Sequence, residues 1–262
     1  MDLGLKGRVA FVAAASRGLG RATAEALAAE GADVACCSRT DGIFDVAHDL
    51  ESRLGVRALG IKADVALPSD VDRAIAACLE RFGRIDVLVT NAGGPPPGPF
   101  ESHSPAVWQE TVDINLHSVV NLVRAALPGM KERRWGRILN VTSITVKQPV
   151  EGLILSNSVR AAVIGFARTL ANEVGSFNIT VNNLVPGYTR TERTEQLATN
   201  RATAKHMSRE EAFADWERQI PLGRLGEPRE FAALAAFLAS EQAGYITAQS
   251  IAVDGGWIRS LF

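Results

Sequence analysis

Hydrophobic and polar residues follow two different periods along the chain. Short apolar runs rich in β-branched residues alternate with longer segments in which apolar residues return every three or four positions. The short runs predict seven strands, at Val9–Ala14, Asp33–Ser38, Arg57–Ile61, Val87–Thr90, Arg137–Thr142, Thr180–Val185 and Ser250–Val253. The longer segments predict helices at Leu19–Glu30, Ile43–Arg53, Ser69–Phe82, Trp108–Met130, Asn157–Glu173 and Pro228–Ala239.

Strands that alternate with helices are typical of repeated βαβ units, which place their strands in one parallel sheet. We therefore predict an α/β fold, a doubly wound, seven-stranded parallel sheet of the Rossmann-like type, with ligands at the carboxyl ends of the strands. The 262 residues contain no Pro/Gly/Ser-rich linker that would divide them. A single domain over residues 1–262 follows.

One charged segment, Glu192–Gln219, lies between the sixth strand and the last helix. Helical periodicity within it is confined to about Ser208–Arg218. We expect residues 188–220 to form a helical lid that closes over the substrate.

Charge and cysteine content narrow the classes of partner. With 28 Lys and Arg against 29 Asp and Glu, the net charge of -1 gives no electrostatic drive toward nucleic acid or an anionic membrane. The apolar run Val9–Ala15 is too short for a signal peptide or a membrane span. Cys36, Cys37 and Cys78 lack the spacing of metal ligands and fit small core residues in a reducing compartment. We expect a soluble cytoplasmic protein without a metal.

A glycine-containing turn, Ala14 to Gly20, joins the first strand to the first helix. Gly18 would let the backbone approach a pyrophosphate, Gly20 would let helix and strand pack closely, and the helix N-terminus would supply N–H groups for the phosphates. Two glycines at such a position are equally compatible with a tight turn alone. Cofactor binding therefore needs a second observation.

The end of the second strand supplies that observation. An acidic residue there would bind the ribose 2′-hydroxyl of NAD(H), whereas Arg39, together with Arg17, could hold the 2′-phosphate of NADP(H). NADP(H) is therefore predicted in preference to NAD(H), with a solvated surface charge as the alternative for each arginine. Asp64 and Val65 follow the third strand, where the carboxylate could reach the adenine amino group or cap the next helix.

Six motifs then occur in the order typical of the short-chain dehydrogenase/reductase family, which the chain resembles over nearly its whole length. They are the glycine-containing turn, Asn91-Ala92-Gly93, Asn115, Ser143, Pro186-Gly187 with Thr191, and Asp254-Gly255-Gly256. Within the family, Gly136-Arg137-Ile138 and Gly223-Arg224-Leu225-Gly226 are similar to segments of 3-oxoacyl-[acyl-carrier-protein] reductases.

The resemblance implies a role for four residues of these motifs. Asn91 would support the cofactor site, Asn115 would hold a water of a proton relay, Ser143 would orient the substrate carbonyl, and Thr191 would contact the nicotinamide carboxamide. The local alternatives are, in the same order, a turn asparagine, a polar helix position, a strand-end serine and a helix-capping threonine. The residues assigned to the cofactor site are Ser16, Arg17, Gly18, Leu19, Gly20, Arg39, Asp64, Val65, Asn91, Ala92, Gly93, Arg160, Pro186, Gly187, Thr189 and Thr191.

Two positions depart from the family pattern. The first glycine of the turn is Ala14, which requires a backbone conformation that alanine can adopt. Thirteen residues after Ser143, Ser156 and Arg160 stand where the family has Tyr-x-x-x-Lys. The family's tyrosine donates the proton, with a pKa lowered from about 10 by its surroundings.

Neither replacement is a good acid. A serine hydroxyl is far weaker than a phenol, and the Arg160 guanidinium holds its proton while remaining able to contact ribose hydroxyls or stabilise an oxyanion. A water held by Asn115 or Ser156 could deliver the proton instead, and Lys147 is the other candidate. The predicted catalytic residues are thus Ser143, Asn115, Ser156, Arg160 and Lys147.

Two functions remain open. The first is an NADP(H)-dependent oxidoreductase that reduces a ketone or a 3-oxoacyl thioester, or oxidises a secondary alcohol, with a non-standard proton donor. The second is an NADP(H)-binding sensor or partner subunit with little or no turnover. The resemblance also implies a homotetramer, with a dimer as the alternative.

Overall fold

The computed structural model describes residues 1–261 and contains one parallel sheet with the strand order β3-β2-β1-β4-β5-β6-β7. Every neighbouring pair in this sheet is parallel. This confirms the predicted seven-stranded, Rossmann-like α/β fold. The strands are β1 (Val9–Val12), β2 (Asp33–Ser38), β3 (Ala58–Lys62), β4 (Val87–Thr90), β5 (Gly136–Val141), β6 (Ile179–Pro186) and β7 (Ser250–Val253).

Helices cover both faces of the sheet. Those of the described residues are α1 (Gly18–Ala29), α2 (Gly42–Leu54), α3 (Pro68–Phe82), α4 (Pro105–Val112), α5 (Ser118–Arg133), α6 (Ile154–Val174), α7 (Glu192–Lys205), α8 (Arg209–Gln219) and α9 (Pro228–Ala239). Among residues 1–261, none of the helices combines the length and hydropathy that a membrane crossing requires.

The core lies in two layers, one on each face. Ala10 and Val12 of β1 pack with α1, α2 and α9 on one face, while Val9 and Phe11 pack with α3, α5 and α6 on the other. Successive strand residues point to opposite faces, so a strand covered on both sides is apolar at every position. This is why the strands read as continuous apolar runs in the sequence.

The three cysteines belong to this core. All are free and buried, and burial raises the pKa of each thiol to about 12. A thiol held protonated in this way packs as a small apolar side chain.

The predicted helix over Trp108–Met130 is interrupted. It is divided into α4 and α5 by a single π-helical turn at Asp113–His117. A π turn accommodates an extra residue and changes the direction in which its side chains project. Apolar periodicity continues across it, so the sequence pattern did not detect the break.

Several other boundaries differ from the sequence prediction. Strands β3 and β5 are shifted by one residue, β6 is one residue longer at each end, and helices α1, α2 and α3 begin one residue earlier than predicted. Larger differences include those at β1 and α6. Strand β1 ends at Val12 instead of Ala14, although Ala13 and Ala15 still donate backbone hydrogen bonds to Val89 O and Cys37 O, each at 3.0 Å. Helix α6 begins at Ile154 instead of Asn157. Ser156 therefore projects from the first turn of a helix.

The lid segment contains two helices where periodicity predicted one. Helix α8 was predicted from its apolar spacing, but α7 was missed because Thr194 and Ala198 are the only buried side chains in its fourteen residues. The two helices pack together around Ala198, Ala212 and Trp216.

Candidate functional site

The turn between β1 and α1 has the geometry of a nucleotide-binding cradle. Gly18 has a φ of +57°, and a Cβ at Gly20 would lie 2.3 Å from Ala14 O and 2.9 Å from Asn91 Nδ2. Asn91 Nδ2 donates to Ala14 O at 3.4 Å and so links the turn to the end of β4. Helix α1 begins at Gly18, which directs its free N–H groups toward this cradle. Gly20 is thus required by backbone packing.

Ala14 adopts the left-handed conformation, with a φ of +49°. The departure from glycine at this position is therefore accommodated without changing the path of the turn, at a conformational cost of roughly 1 kcal/mol.

The predicted adenosine-phosphate residues lie at two places. Arg39 is exposed and its guanidinium lies 3.9 Å from the Asp64 carboxylate, in a cleft of about 400 Å³. Asp64 Oδ1 accepts from Ala66 N at 3.0 Å, and Leu67 is the N-cap of α3, so the helix-cap alternative for Asp64 is wrong. Arg17 forms an ion pair with Glu192 at the start of the lid. In the structure, Arg39 is thus paired with Asp64 and Arg17 with Glu192.

Three further residues assigned to the cofactor site contribute to the core. Val65 is buried, and Leu19 and Ala92 pack against buried residues. Any contact they make with a ligand would come from their main-chain groups. Ser16 is half-buried next to Arg17 in the turn.

Residues after β6 position the start of the lid. Pro186 ends β6, and a Cβ at Gly187 would lie 2.6 Å from Asp254 Cα, so glycine is needed where β6 and β7 end together. Thr189 is buried. Thr191 Oγ1 accepts from Thr194 N at 3.4 Å, so it caps α7, and its contact with the nicotinamide stays a prediction.

Asn115 lies in the π turn and is 4% exposed. Its Nδ2 donates to Gly93 O at 2.9 Å, whereas its Oδ1 is buried without a hydrogen-bond partner among the described residues. A buried carbonyl oxygen left unpaired is unfavourable, and a bound water or ligand hydroxyl would satisfy it. Asn115 therefore fits the water-holding role that the resemblance implied.

Ser143 and Ser156 are linked by a residue that sequence reasoning did not single out. Thr145 N donates to Ser143 Oγ at 3.2 Å, and Thr145 Oγ1 lies 3.1 Å from Ser156 Oγ. Ser143 accepts one hydrogen bond in this arrangement, which leaves its own proton for another acceptor. Ser156 is 7% exposed.

Arg160 connects α6 to the end of β5. It is 8% exposed, and its Nη1 donates to Val141 O at 2.9 Å and to Thr142 O at 3.1 Å. Burial, with a further contribution from the charge of Arg193, lowers the pKa of Arg160 to about 10. The sequence predicted that Arg160 would contact ribose hydroxyls. In the structure its Nη1 donates to two main-chain carbonyls instead.

Lys147, Tyr188 and His103 have separate surroundings. Lys147 is half-buried; its backbone N donates to Ile144 O at 3.0 Å, and its side chain has no hydrogen-bond or ion-pair partner in the described part of the chain. Tyr188 stacks on Trp216 at a ring-centroid distance of 4.6 Å, and burial raises the pKa of its hydroxyl, so Tyr188 packs within the lid segment. His103 is only half-exposed; its Nε2 is buried and unpartnered within residues 1–261.

Arg193 is a site residue that the sequence did not reveal. It lies in the first turn of α7, where its Nη2 donates to Pro95 O at 2.5 Å, just after the Asn91-Ala92-Gly93 segment. In the sequence it is one of several arginines in a charged segment, so no local signal distinguished it. No cluster of three or more His, Cys, Asp or Glu side chains suited to a metal occurs in residues 1–261.

Comparisons with known proteins agree with this arrangement. A family model described as Enoyl-(Acyl carrier protein) reductase matches residues 13–258. The 3-oxoacyl-[acyl-carrier-protein] reductase FabG of Vibrio cholerae is 36% identical over 254 residues, which cover 97% of this chain and 98% of that protein.

Solved structures give the same result. L-sorbose reductase from Gluconobacter frateurii, complexed with NADPH and L-sorbose, matches with a TM-score of 0.94 and 33% identity over 100% of both chains. YwfH, an NADPH-dependent reductase involved in bacilysin biosynthesis, matches with a TM-score of 0.92 and 31% identity, over 97% of this chain and 99% of that one.

Proposed function

The chain belongs to the short-chain dehydrogenase/reductase family, and we propose that it is an NADP(H)-dependent reductase of a ketone or a 3-oxoacyl thioester. The observation that carries this proposal is the unpartnered Oδ1 of Asn115. The Nδ2 of the same side chain donates to Gly93 O, close in sequence to Asn91, which bonds to the nucleotide cradle. A bound water would satisfy this buried acceptor, and a proton relay to a carbonyl substrate needs a water held at such a place.

The residues present fit the cofactor. Gly18, Gly20 and the N-terminus of α1 would hold the diphosphate, and Arg17 and Arg39 would hold the 2′-phosphate in exchange for their present acidic partners. The solved relatives named above bind or depend on NADPH. NAD(H) is the alternative cofactor. The bound nicotinamide would supply the hydride.

The chain's own residues then handle the carbonyl and the proton. Ser143, whose oxygen already accepts from Thr145 N, donates a hydrogen bond to the substrate carbonyl oxygen and so orients it. A water that donates a hydrogen bond to Asn115 Oδ1 passes a proton to the developing alkoxide, which becomes the alcohol, and the water regains its proton from solvent. Ser156, paired with Thr145, is a positioning group, and Lys147 is the alternative proton donor.

A second function is favoured by one observation. Both replacements at the catalytic position are occupied within the protein, Ser156 by Thr145 and Arg160 by the carbonyls of Val141 and Thr142. A sensor or partner subunit that binds NADP(H) without turnover would need no acid there.

One cuvette experiment separates these functions. NADPH and NADH are titrated by fluorescence, and the decay of cofactor absorbance is then followed with a panel of ketones, 3-oxoacyl thioesters and keto sugars. We expect NADPH to bind more tightly than NADH and at least one class of substrate to be reduced. Tight NADPH binding without turnover across the panel would establish the binding-only function instead.

The double variant Ser156→Tyr with Arg160→Lys tests the proton donor. Restoring a phenol and an ammonium should raise ketone reduction about 10²- to 10⁴-fold, the usual contribution of a positioned general acid. Ser156→Ala is the matched control and should change turnover only modestly, because the Ser156 hydroxyl is bonded to Thr145. A double variant that folds, binds NADPH and gains no activity would mean that the pocket serves different chemistry.

A further inference from the structure

The lid contains one arginine without an acidic partner. Of the five arginines in residues 188–220, Arg190, Arg201, Arg209 and Arg218 form ion pairs with Asp or Glu side chains of the same segment or with Glu227. Arg193 forms no ion pair with an Asp or Glu side chain among the described residues. Burial without a counter-charge lowers the pKa of its guanidinium. A half-buried guanidinium without a counter-charge is unfavourable unless a ligand supplies one.

The guanidinium of Arg193 lies against the loop that follows β4. A Cβ at Gly94 would be 2.8 Å from Arg193 Nε and 3.1 Å from Cζ, so the guanidinium rests on the Gly94 backbone. Gly93, the preceding residue, accepts from Asn115 Nδ2. Arg193 is thus placed next to the segment that holds the proton-relay asparagine.

A second unpaired cation is close by. Arg160 is nearly fully buried, its hydrogen bonds go to neutral main-chain carbonyls, and it has no acidic partner in residues 1–261. The charge of Arg193 is near enough to disfavour the charged form of Arg160. Arg160 is held at the carboxyl end of β5, Arg193 lies against the loop that follows β4, and these two strands are neighbours in the sheet. Two guanidiniums without counter-charges at the same edge of the sheet create a positive potential that an anion would relieve.

We propose that Arg193, with Arg160 as a second positive charge, forms an anion subsite that binds a carboxylate or phosphate group of the carbonyl substrate. The substrates are then anionic ketones, such as free 3-oxo acids, and neutral ketones are disfavoured. This inference rests on the proposed reductase function. A guanidinium suits the role because its planar array of donors can grip a carboxylate or phosphate through two parallel hydrogen bonds.

The test compares each 3-oxo acid with its methyl ester, which removes the charge and little else. Acetoacetate and methyl acetoacetate, followed by longer homologues, are reduced by the wild-type protein and by Arg193→Met. The variant should lose about tenfold to a hundredfold in kcat/KM on the acids, mainly through KM, and less than about twofold on the esters. Arg190→Met is the matched control, because Arg190 already pairs with Glu217 and Glu227.

A second variant moves the charge without deleting it. Gly94→Ala places a methyl group where the guanidinium now rests and should produce the same loss, confined to the acids. Equal losses on acids and esters, accompanied by weaker NADPH binding, would assign Arg193 to the cofactor diphosphate and overturn the proposal. A wild-type protein that reduces the esters as well as the acids would overturn it too.

The inference can fail separately from the reductase proposal. If the wild-type protein reduces no ketone, acetoacetate and its longer homologues are titrated by calorimetry into the protein saturated with NADP⁺. Binding that is lost in Arg193→Met and kept in Arg190→Met would support the subsite although the reductase function fails. Absence of binding would overturn the subsite.

Discussion

At position 14 the backbone adopts a left-handed conformation that an alanine occupies at a cost. The φ of +49° places Ala14 in a region where a Cβ crowds the following carbonyl. Ala14→Gly should therefore raise the free energy of unfolding by about 1 kcal/mol, which corresponds to about 2 °C in Tm for a chain of this size. Urea titration and thermal unfolding measure it.

Ala15→Gly is the control for that prediction. Ala15 lies next in the chain, is fully buried and has no positive φ, so glycine there adds flexibility to the unfolded state and removes a packed methyl. It should destabilise the protein. If Ala14→Gly were also destabilising, the strain assigned to position 14 would be absent.

Gly20 is the residue on which the nucleotide cradle depends most. In Gly20→Ala the new methyl would meet two backbone atoms of Ala14, at 2.3 Å from O and 2.9 Å from C, and neither can move without shifting the turn. We expect NADPH binding, measured by fluorescence titration, to weaken by at least tenfold while the far-UV circular dichroism stays unchanged.

A glycine outside the cradle provides the comparison. Gly42→Ala lies at the start of α2, where a Cβ meets nothing within 4 Å. This variant should bind NADPH as the wild type does. Equal affinity in Gly20→Ala would show that the turn does not hold the cofactor.

Site residues that belong to a family motif could be predicted from the sequence. Residues that matter only because of the groups they contact in the folded protein could not. Asn115 and Ser143 stand at positions that the family motifs mark. Thr145, which bonds to Ser143 and Ser156, and Arg193, which lies against Gly94, belong to no motif. Their importance arises only when separate segments meet in space.

Among the elements, helix α9 begins with a network of hydrogen bonds between charged residues. Arg224 donates to both carboxylate oxygens of Glu230, at 2.6 and 2.8 Å, and Glu227 N donates to Oε2 at 2.8 Å. The Arg224 side chain, followed by the Glu227 N–H, lowers the pKa of Glu230 to about 2. The ionised carboxylate therefore stabilises the start of this helix.

The sign of the pH effect follows from that lowered pKa. Because the folded pKa lies below the unfolded value, the stabilisation is present above about pH 4.5 and is lost as the pH falls toward 2. Glu230→Gln should be less stable than the wild type at pH 7, and the difference in unfolding free energy should shrink through that window.

Chemical unfolding at pH 7, 4 and 2.5 measures this difference. Glu80→Gln is the control, because Glu80 is exposed on α3 and has no ion-pair partner among the described residues. A destabilisation by Glu230→Gln that is the same at all three pH values would contradict the assigned cause.

The elements also differ in how far the sequence could define them. Strands β2, β4 and β7 match the prediction at both ends. The apolar runs of β2 and β4 are buried on both faces and end abruptly, whereas β7 is a half-buried edge strand. Helix α7 was missed because it buries little apolar surface. The π turn at Asp113–His117 was missed because an inserted residue leaves the apolar pattern nearly unchanged.

At the scale of the whole molecule, the candidate site is produced by the order of the strands. The sheet order places β1 between β2 and β4, so chain segments that leave in opposite directions open a crevice beside the cradle. Asn91 follows β4, Ser143 follows β5 and Gly187 follows β6. These residues meet because parallel strands end at the same edge, which the predicted topology already required.

Assembly is the remaining property at this scale. The homotetramer that the resemblance implied needs a face on which two copies can meet, and α6 exposes Ala161, Ala162 and Gly165 in a patch of small residues. We expect the 28.0 kDa chain to sediment as a tetramer, with a dimer as the alternative. Gly165→Arg should dissociate it, because a Cβ at Gly165 meets nothing within 4 Å in its own chain and the added charge would enter the contact between copies.

The control places the same charge on another face. Ala76 is exposed on α3, and Ala76→Arg should leave the sedimentation coefficient unchanged. Circular dichroism distinguishes dissociation from unfolding, since Gly165→Arg should retain the helical signal of the wild type. A wild-type protein that sediments as a monomer would refute the assembly, and a Gly165→Arg variant that remains tetrameric would place the contact elsewhere than on α6.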